Sequence, residues 1–183
     1  MKKNLLIATL LGLATLSASA APQLQPAQSE LSFAAKQMGV PIEGKFKRFD
    51  AQLAFDPKKP EAGKVSFSIE MGSATLGAPE FDAELVKAPW FNAKALPQAS
   101  FVSTSFKPAG GGRIDVAGKL TIKGVSRDVV VPVQFTQSGT NATATGQLAI
   151  KRLDFKIGEG EWADTSVVAN DVNVKFKLAF TGL

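Results

Sequence analysis

From Asp171 to Leu183 the chain alternates without a break. Val172, Val174, Phe176, Leu178 and Phe180 fall on one parity, and Asn173, Lys175, Lys177 and Ala179 on the other. Successive side chains of a strand point to opposite faces, so this pattern calls for a β-strand with one wet face and one buried face. The same alternation, carried by Val and Phe, recurs along most of the chain. It predicts a curved antiparallel sheet around one apolar interior.

Eight strands are expected, over residues 29–37, 42–56, 63–72, 98–107, 113–123, 128–137, 142–151 and 171–183. In the second, Phe46 and Phe49 differ in parity, which predicts a bulge or bend near Arg48. In the fourth, Phe101 faces one way and Val102 and Phe106 the other. Short connections in the second half favour antiparallel neighbours. Eight such strands close into a barrel wide enough for its own side chains or one small ligand.

The segment 73–97 breaks the alternation. Glu80 to Lys87 carries Phe81, Leu85 and Val86 at helical spacing, with Pro79 at the first helical position. Glu80, Asp82 and Glu84 suit the first turns of a helix through its dipole. Trp90-Phe91-Asn92 is expected to add one more helical turn. This short helical insertion reads as a lid or side wall for a cavity.

The chain opens Met1-Lys2-Lys3-Asn4, runs through the apolar stretch Leu5 to Leu16, and reaches Ser17-Ala18-Ser19-Ala20. A basic start, a short apolar run and an Ala-x-Ala site make a secretory leader, cleaved after Ala20. The apolar run falls short of the roughly 20 residues that a spanning helix needs. The expectation is a periplasmic protein, with residues 21–183 as one domain. Losing Lys2 and Lys3 lowers the formal charge from +5 to +3. That excess is mild and scattered, and it does not point to nucleic acid. With no cysteine, the exported domain is held by its core alone.

The chain contains no His, no Cys and no Tyr. That inventory excludes serine–histidine triads, cysteine nucleophiles, histidine zinc sites and histidine-ligated haem. No glycine-rich loop joins a strand to a helix, so no phosphate cradle is present. Glu159, Glu161 and Asp164 share one loop with Gly158 and Gly160. A calcium site or a glycosidase pair uses such groups, but the spacing is not that of an EF-hand, and a solvated acidic loop is the simpler reading. The 13 Phe and two Trp are the remaining asset. A barrel lined by Phe33, Phe46, Phe55, Phe67, Phe101, Phe135 and Phe176 is either a solid core or an apolar tunnel.

Several stretches then stand in a recognisable order. Ser32-Phe33 precedes Gly44-Lys45-Phe46-Lys47-Arg48-Phe49 and Leu53-Ala54-Phe55-Asp56-Pro57. Trp90-Phe91-Asn92-Ala93 precedes the run from Pro97 through Phe101 to Ser105. Gly118-Lys119-Leu120-Thr121-Ile122-Lys123-Gly124-Val125 and Arg152-Leu153-Asp154-Phe155 come after them. In this order and spacing the chain resembles the YceI-like family, the lipocalin-like polyisoprenoid-binding proteins of the bacterial periplasm, over essentially residues 21–183.

The resemblance implies an all-β, extended eight-stranded antiparallel barrel whose interior binds a long isoprenoid, as in polyprenyl phosphates or quinones. Many members carry a His and an Arg around the helical insertion. Here Leu76-Gly77-Ala78-Pro79-Glu80-Phe81-Asp82 has neither, which favours a quinone-like or neutral isoprenoid over a pyrophosphate. The expected wall is Phe33, Phe46, Phe55, Phe67, Ile69, Phe81, Leu85, Phe101, Phe135, Phe155 and Phe176. No catalytic residue, metal or cofactor is expected beyond a bound polyisoprenoid or quinone. The expected partner is that lipid, not nucleic acid, and a homodimer is compatible with the reading. Two rivals stay open: a protein-interaction or stress-response module with a packed barrel core, and a hydrolase using the loop carboxylates. An outer-membrane barrel does not fit, because the last strand turns Lys175 and Lys177 outward.

Overall fold

The computed structural model describes residues 21–183, and the leader expected over 1–20 lies outside them. Eleven strands follow in chain order: β1 (Gln23–Leu24), β2 (Glu30–Gln37), β3 (Val40–Phe46), β4 (Phe49–Ala54), β5 (Lys64–Glu70), β6 (Ala74–Thr75), β7 (Gln98–Gly110), β8 (Arg113–Ile122), β9 (Val125–Ser138), β10 (Asn141–Lys151) and β11 (Asp171–Thr181). One α-helix, α1, spans Pro79–Leu85. The strands form a single sheet in the order β4-β5-β7-β8-β9-β10-β11-β2-β3-β6, with β1 added on β11.

The sheet curls shut through one bent strand. β3 and β4 are two halves of a single path, interrupted only at Lys47 and Arg48. β3 pairs antiparallel with β2, and β4 with β5. This path therefore joins the two ends of the ladder into an extended antiparallel barrel of eight long rungs. The two-residue strands β1 and β6 account for the difference from the eight expected. At the bend, Ser73 replaces the missing ladder: its carbonyl accepts from Lys47 N–H at 3.1 Å and its Oγ from Arg48 N–H at 3.0 Å. No backbone donor is stranded where the strand breaks.

The insertion fills the gap that the bend opens. β6 pairs with the end of β3, Lys45 with Thr75 and Phe46 with Ala74. Pro79 begins α1 and Glu80 and Asp82 stand in its first turn. Asp82 holds the approach to the helix, accepting from Thr75 Oγ1 at 2.6 Å and from Leu76 N–H at 2.7 Å. Those two hydrogen bonds keep its carboxyl below the ordinary carboxylate range. Trp90-Phe91-Asn92 forms hydrogen-bonded turns rather than a further helical turn, with Asn92 at φ +50°.

Two expectations about facing need correction. Phe101 and Phe106 face the same side, and Val102 is 50% exposed on the other. The pairing of β7 with β8 slips between Ser103 and Ser105, so Thr104 is an extra residue that resets the parity. Ala179 sits on the outer face yet is 6% exposed, because residues 25–29 cover it: Gln25 N–H donates to its carbonyl and its own N–H donates to Ser29 Oγ.

Candidate ligand-binding cavity

A cavity of about 300 Å³ runs along the barrel. That lies at the lower end of the range of about 300–1,000 Å³ typical of small-molecule sites. Val172, Val174, Phe176, Leu178 and Phe180 of β11 all line it, as do Leu31, Phe33 and Ala35 of β2 and Val131, Val133 and Phe135 of β9. α1 contributes Phe81, Glu84 and Leu85. Along the whole wall only Gln37, Glu84 and Arg152 carry an amide or a charge.

Of the side chains singled out from sequence, Phe33, Phe46, Phe55, Phe67, Ile69, Phe81, Leu85, Phe101, Phe135 and Phe176 stand on this wall. Phe155 does not: it is 2% exposed and packed in the core behind it. The short helical turn Arg152–Phe155 directs it there, since strand alternation has already ended. Phe81 meets both the cavity and solvent, at 53% exposure.

Three glycines help to keep a phenylalanine-rich barrel open. Phe33 lies directly across the ladder from Gly44, and Phe176 from Gly146. A Cβ built on Gly44 would stand 2.3 Å from the Phe33 ring, on Gly146 2.5 Å from Phe176, and on Gly118 2.4 Å from Phe101. Each ring thus lies over a residue with no side chain, with its bulk along the wall instead of across the lumen. One end of the barrel is more tightly packed. There Phe55 stacks at 4.5 Å from Phe135 and 6.3 Å from Phe106, beside Ala51, Leu53, Leu178 and Phe180.

The other end is roofed by two loops tied together by buried cations. Arg152 is 1% exposed. Its Nε donates to the Ala169 carbonyl, Nη1 to Ile157 and Gly158, and Nη2 to Trp162 and Val168, at 2.7–3.1 Å. All five of its N–H groups are used, so one side chain gathers the loop from Ile157 to Ala169. Burial lowers its pKa, against a normal value far above neutrality. Gly158, at φ +75°, allows this approach: a Cβ there would sit 2.3 Å from Nη1.

Lys123 ties the second loop. It occupies a tight turn with Gly124, both at positive φ, and its Nζ donates to the carbonyls of Pro89 and Lys156 and to Glu159 Oε2 at 2.8 Å. That bond from Lys123 holds the Glu159 carboxyl below its ordinary range. Asp164 instead accepts from the backbone and hydroxyl of Ser166. Glu159 and Asp164 are thus engaged separately. Among the described residues no three His, Cys, Asp or Glu side chains group where they could hold a metal ion.

Sequence reasoning missed Arg152 and Lys123. The signal for Arg152 was present: Ala142, Ala144, Gly146, Leu148, Ile150 and Arg152 share one parity, so the arginine continues the inward face of β10.

A family model for the YceI-like domain matches residues 23–180 of this barrel. The chain belongs to the YceI-like family. This YceI-like protein is 46% identical to BcnA of Burkholderia cenocepacia, whose crystal structure superposes with a TM-score of 0.84 and covers 86% of this chain and 99% of that one. Protein YceI of Salmonella arizonae is 34% identical over 169 residues, 86% of this chain and 88% of the relative. A polyisoprenoid-binding domain from Saccharophagus degradans, implicated in plant cell wall breakdown, shares the fold at a TM-score of 0.72. Its identity is 17%, over 89% of this chain and 99% of that domain. No helix among the described residues is long and apolar enough to cross a membrane.

Proposed function

We propose that this YceI-like protein is a non-catalytic carrier that sequesters an isoprenoid lipid, polyprenyl or quinone-like, in its barrel. The observation that carries the reading is the elongate cavity with an almost wholly apolar wall. Burying one methylene is worth about 0.8 kcal/mol, so each five-carbon isoprene unit contributes about 4 kcal/mol. Two to four buried units offset an association cost of about 4–15 kcal/mol. The polyisoprenoid-binding neighbour of the same fold supports the ligand class. A module with a filled core has no use for such a lumen. The leader-like start at residues 1–20 supports a periplasmic site of action after cleavage near Ala20, with residues 21–183 as the working domain.

The test is native mass spectrometry of protein purified gently from its own periplasm. The expected spectrum carries an added mass that extracts as an isoprenoid lipid. A clean apo mass with empty lipid extracts would overturn the proposal.

A further inference from the structure

The barrel wall has a seam. β9 and β10 pair from Ser138 with Asn141 to Val133 with Gly146, and there the ladder stops. Neither strand ends at that point. β9 reaches back to Val125 and stays paired with β8, while β10 runs on to Lys151 and stays paired with β11. Among the described residues no backbone pairing joins 125–132 to 147–151. Pro132, the first residue of β9 past the last rung, has no N–H to offer a partner. The turn Arg152–Phe155 touches both strands and closes the upper end. The open stretch of β10 is about 15 Å long, at about 3.4 Å per residue.

Apolar side chains, not backbone hydrogen bonds, close this seam. Val131 on one side and Leu148 and Ile150 on the other face the lumen. On the outer face Val130 is 58% exposed and Ala149 is exposed too, so no other element lies over them. At the last rung a cleft on the outer face, rimmed by Arg113, Gln134, Gln147 and Lys175, reaches Val133 and Phe176. Both of these also line the lumen, so the wall there is one side chain thick.

The other ways in are fastened. Arg152 and Lys123 tie the roof loops, and Phe55, Phe106 and Phe135 pack the far end. The approach beside Phe81 is held by the two hydrogen bonds of Asp82. Parting β10 from β11 breaks a ladder that runs unbroken from Asn141 to Lys151, and each lost bond leaves a donor and an acceptor unpaired. Parting β9 from β10 along the seam breaks no backbone bond. An apolar chain that slides between them replaces the side-chain contacts it displaces with its own.

Resting on the carrier reading above, we propose that the seam between β9 and β10 is the door through which an apolar chain enters and leaves the lumen, sideways between two strands instead of through either end.

The chain has no cysteine, so a pair of introduced thiols reacts alone. Val130→Cys with Ala149→Cys puts one thiol on each outer edge of the seam, at positions that would face each other if the ladder ran on. A short bis-maleimide then ties the two strands. The control is Thr136→Cys with Thr143→Cys, tied in the same way on a rung that is already paired. The probe is all-trans-retinol, an isoprenoid whose fluorescence rises in apolar surroundings, followed by stopped flow during loading and during release into phosphatidylcholine vesicles. Tying the seam is expected to slow loading and release alike, by about tenfold or more, against the same variant before cross-linking. The retinol Kd is expected to stay the same, because the lumen is untouched, and the control cross-link is expected to change neither rate. Should the first pair fail to fold, Pro132→Cys with Gln147→Cys spans the same seam one step along. Unchanged rates with the seam tied, or equal slowing by the control, would overturn the proposal. Retinol that does not bind the unsubstituted protein at all brings down the carrier reading, a result distinct from binding at an unaltered rate.

Discussion

Replacing Arg152 with methionine tests whether one buried cation holds the roof of the barrel. Methionine keeps an apolar stem of similar reach and removes five donors at once. The carbonyls of Ile157, Gly158, Trp162, Val168 and Ala169 lose their partner, and the bonds to Ile157, Gly158 and Val168 lie in buried surroundings. A hydrogen bond from a charged donor is worth about 1.5–3 kcal/mol, so five sum to a large gross loss. Against that, the variant no longer desolvates a guanidinium, a relief of several kcal/mol. The balance expected on removing one side of a buried charged network is a loss of about 3–5 kcal/mol. For a chain of this size that lowers Tm by about 6–20 °C. Urea unfolding followed by circular dichroism measures the free energy, and limited proteolysis locates the change, with cuts expected between 156 and 170. Lysine at this position does not restore stability, because three donors on a flexible stem cannot serve five carbonyls. Arg127→Met, on an exposed face, is the control. A loss below about 1 kcal/mol, the range of a surface substitution, would refute the reasoning.

Gly44→Ala places a methyl in the Phe33 ring and turns it into the lumen; overpacking is expected to cost about 1–3 kcal/mol in urea unfolding and to reduce the lipid retained. Glu159 has a lowered carboxyl pKa in the folded protein, so its bond to Lys123 stabilises above the ordinary Glu value and is lost as pH falls through the lowered one. Acid titration of stability is therefore expected to flatten in Glu159→Gln, below about pH 4.5; an unchanged acid limb would contradict it. Asp82→Ala removes both bonds that fasten the approach to α1, and faster proteolysis within 76–88 is expected, with the barrel strands still protected.

Alternation makes most of the barrel legible. Every inward residue assigned to the last strand lines the cavity, because nothing interrupts that ladder. Phe46 and Phe49 betray the bend at Arg48, since two bulky apolar residues of opposite parity cannot both face in on a straight strand. The bulge at Thr104 leaves the same mark, Phe101 and Phe106 at opposite parity, but Val102 shares the parity of Phe106, so plain alternation turns Phe106 outward. β9 begins at Val125 rather than 128, because Lys123 adopts φ +49° in a two-residue turn that few lysines adopt. Composition alone could not decide between a solid core and a tunnel. Three close approaches of a ring to a glycine on the neighbouring strand help to decide it, and register is not written in a single strand. Phe155 leaves the wall because the period of two stops at Lys151, where the chain enters a helical turn, whereas Arg152 keeps the inward parity of β10 and escapes notice because a charge argues against an inward place.

The central claim is that a lumen inside the sheet holds one lipid. Ala144 lines that lumen opposite Leu178 and Phe135, beside its more tightly packed end, where phenylalanine narrows the lumen away from the roof. Native mass spectrometry of the unsubstituted protein and of Ala144→Phe, purified side by side from the same native cells, puts the claim to a direct trial. The account predicts an added isoprenoid mass on the first and little or none on the second, with both equally folded. Equal lipid on both, or none on either, would contradict it.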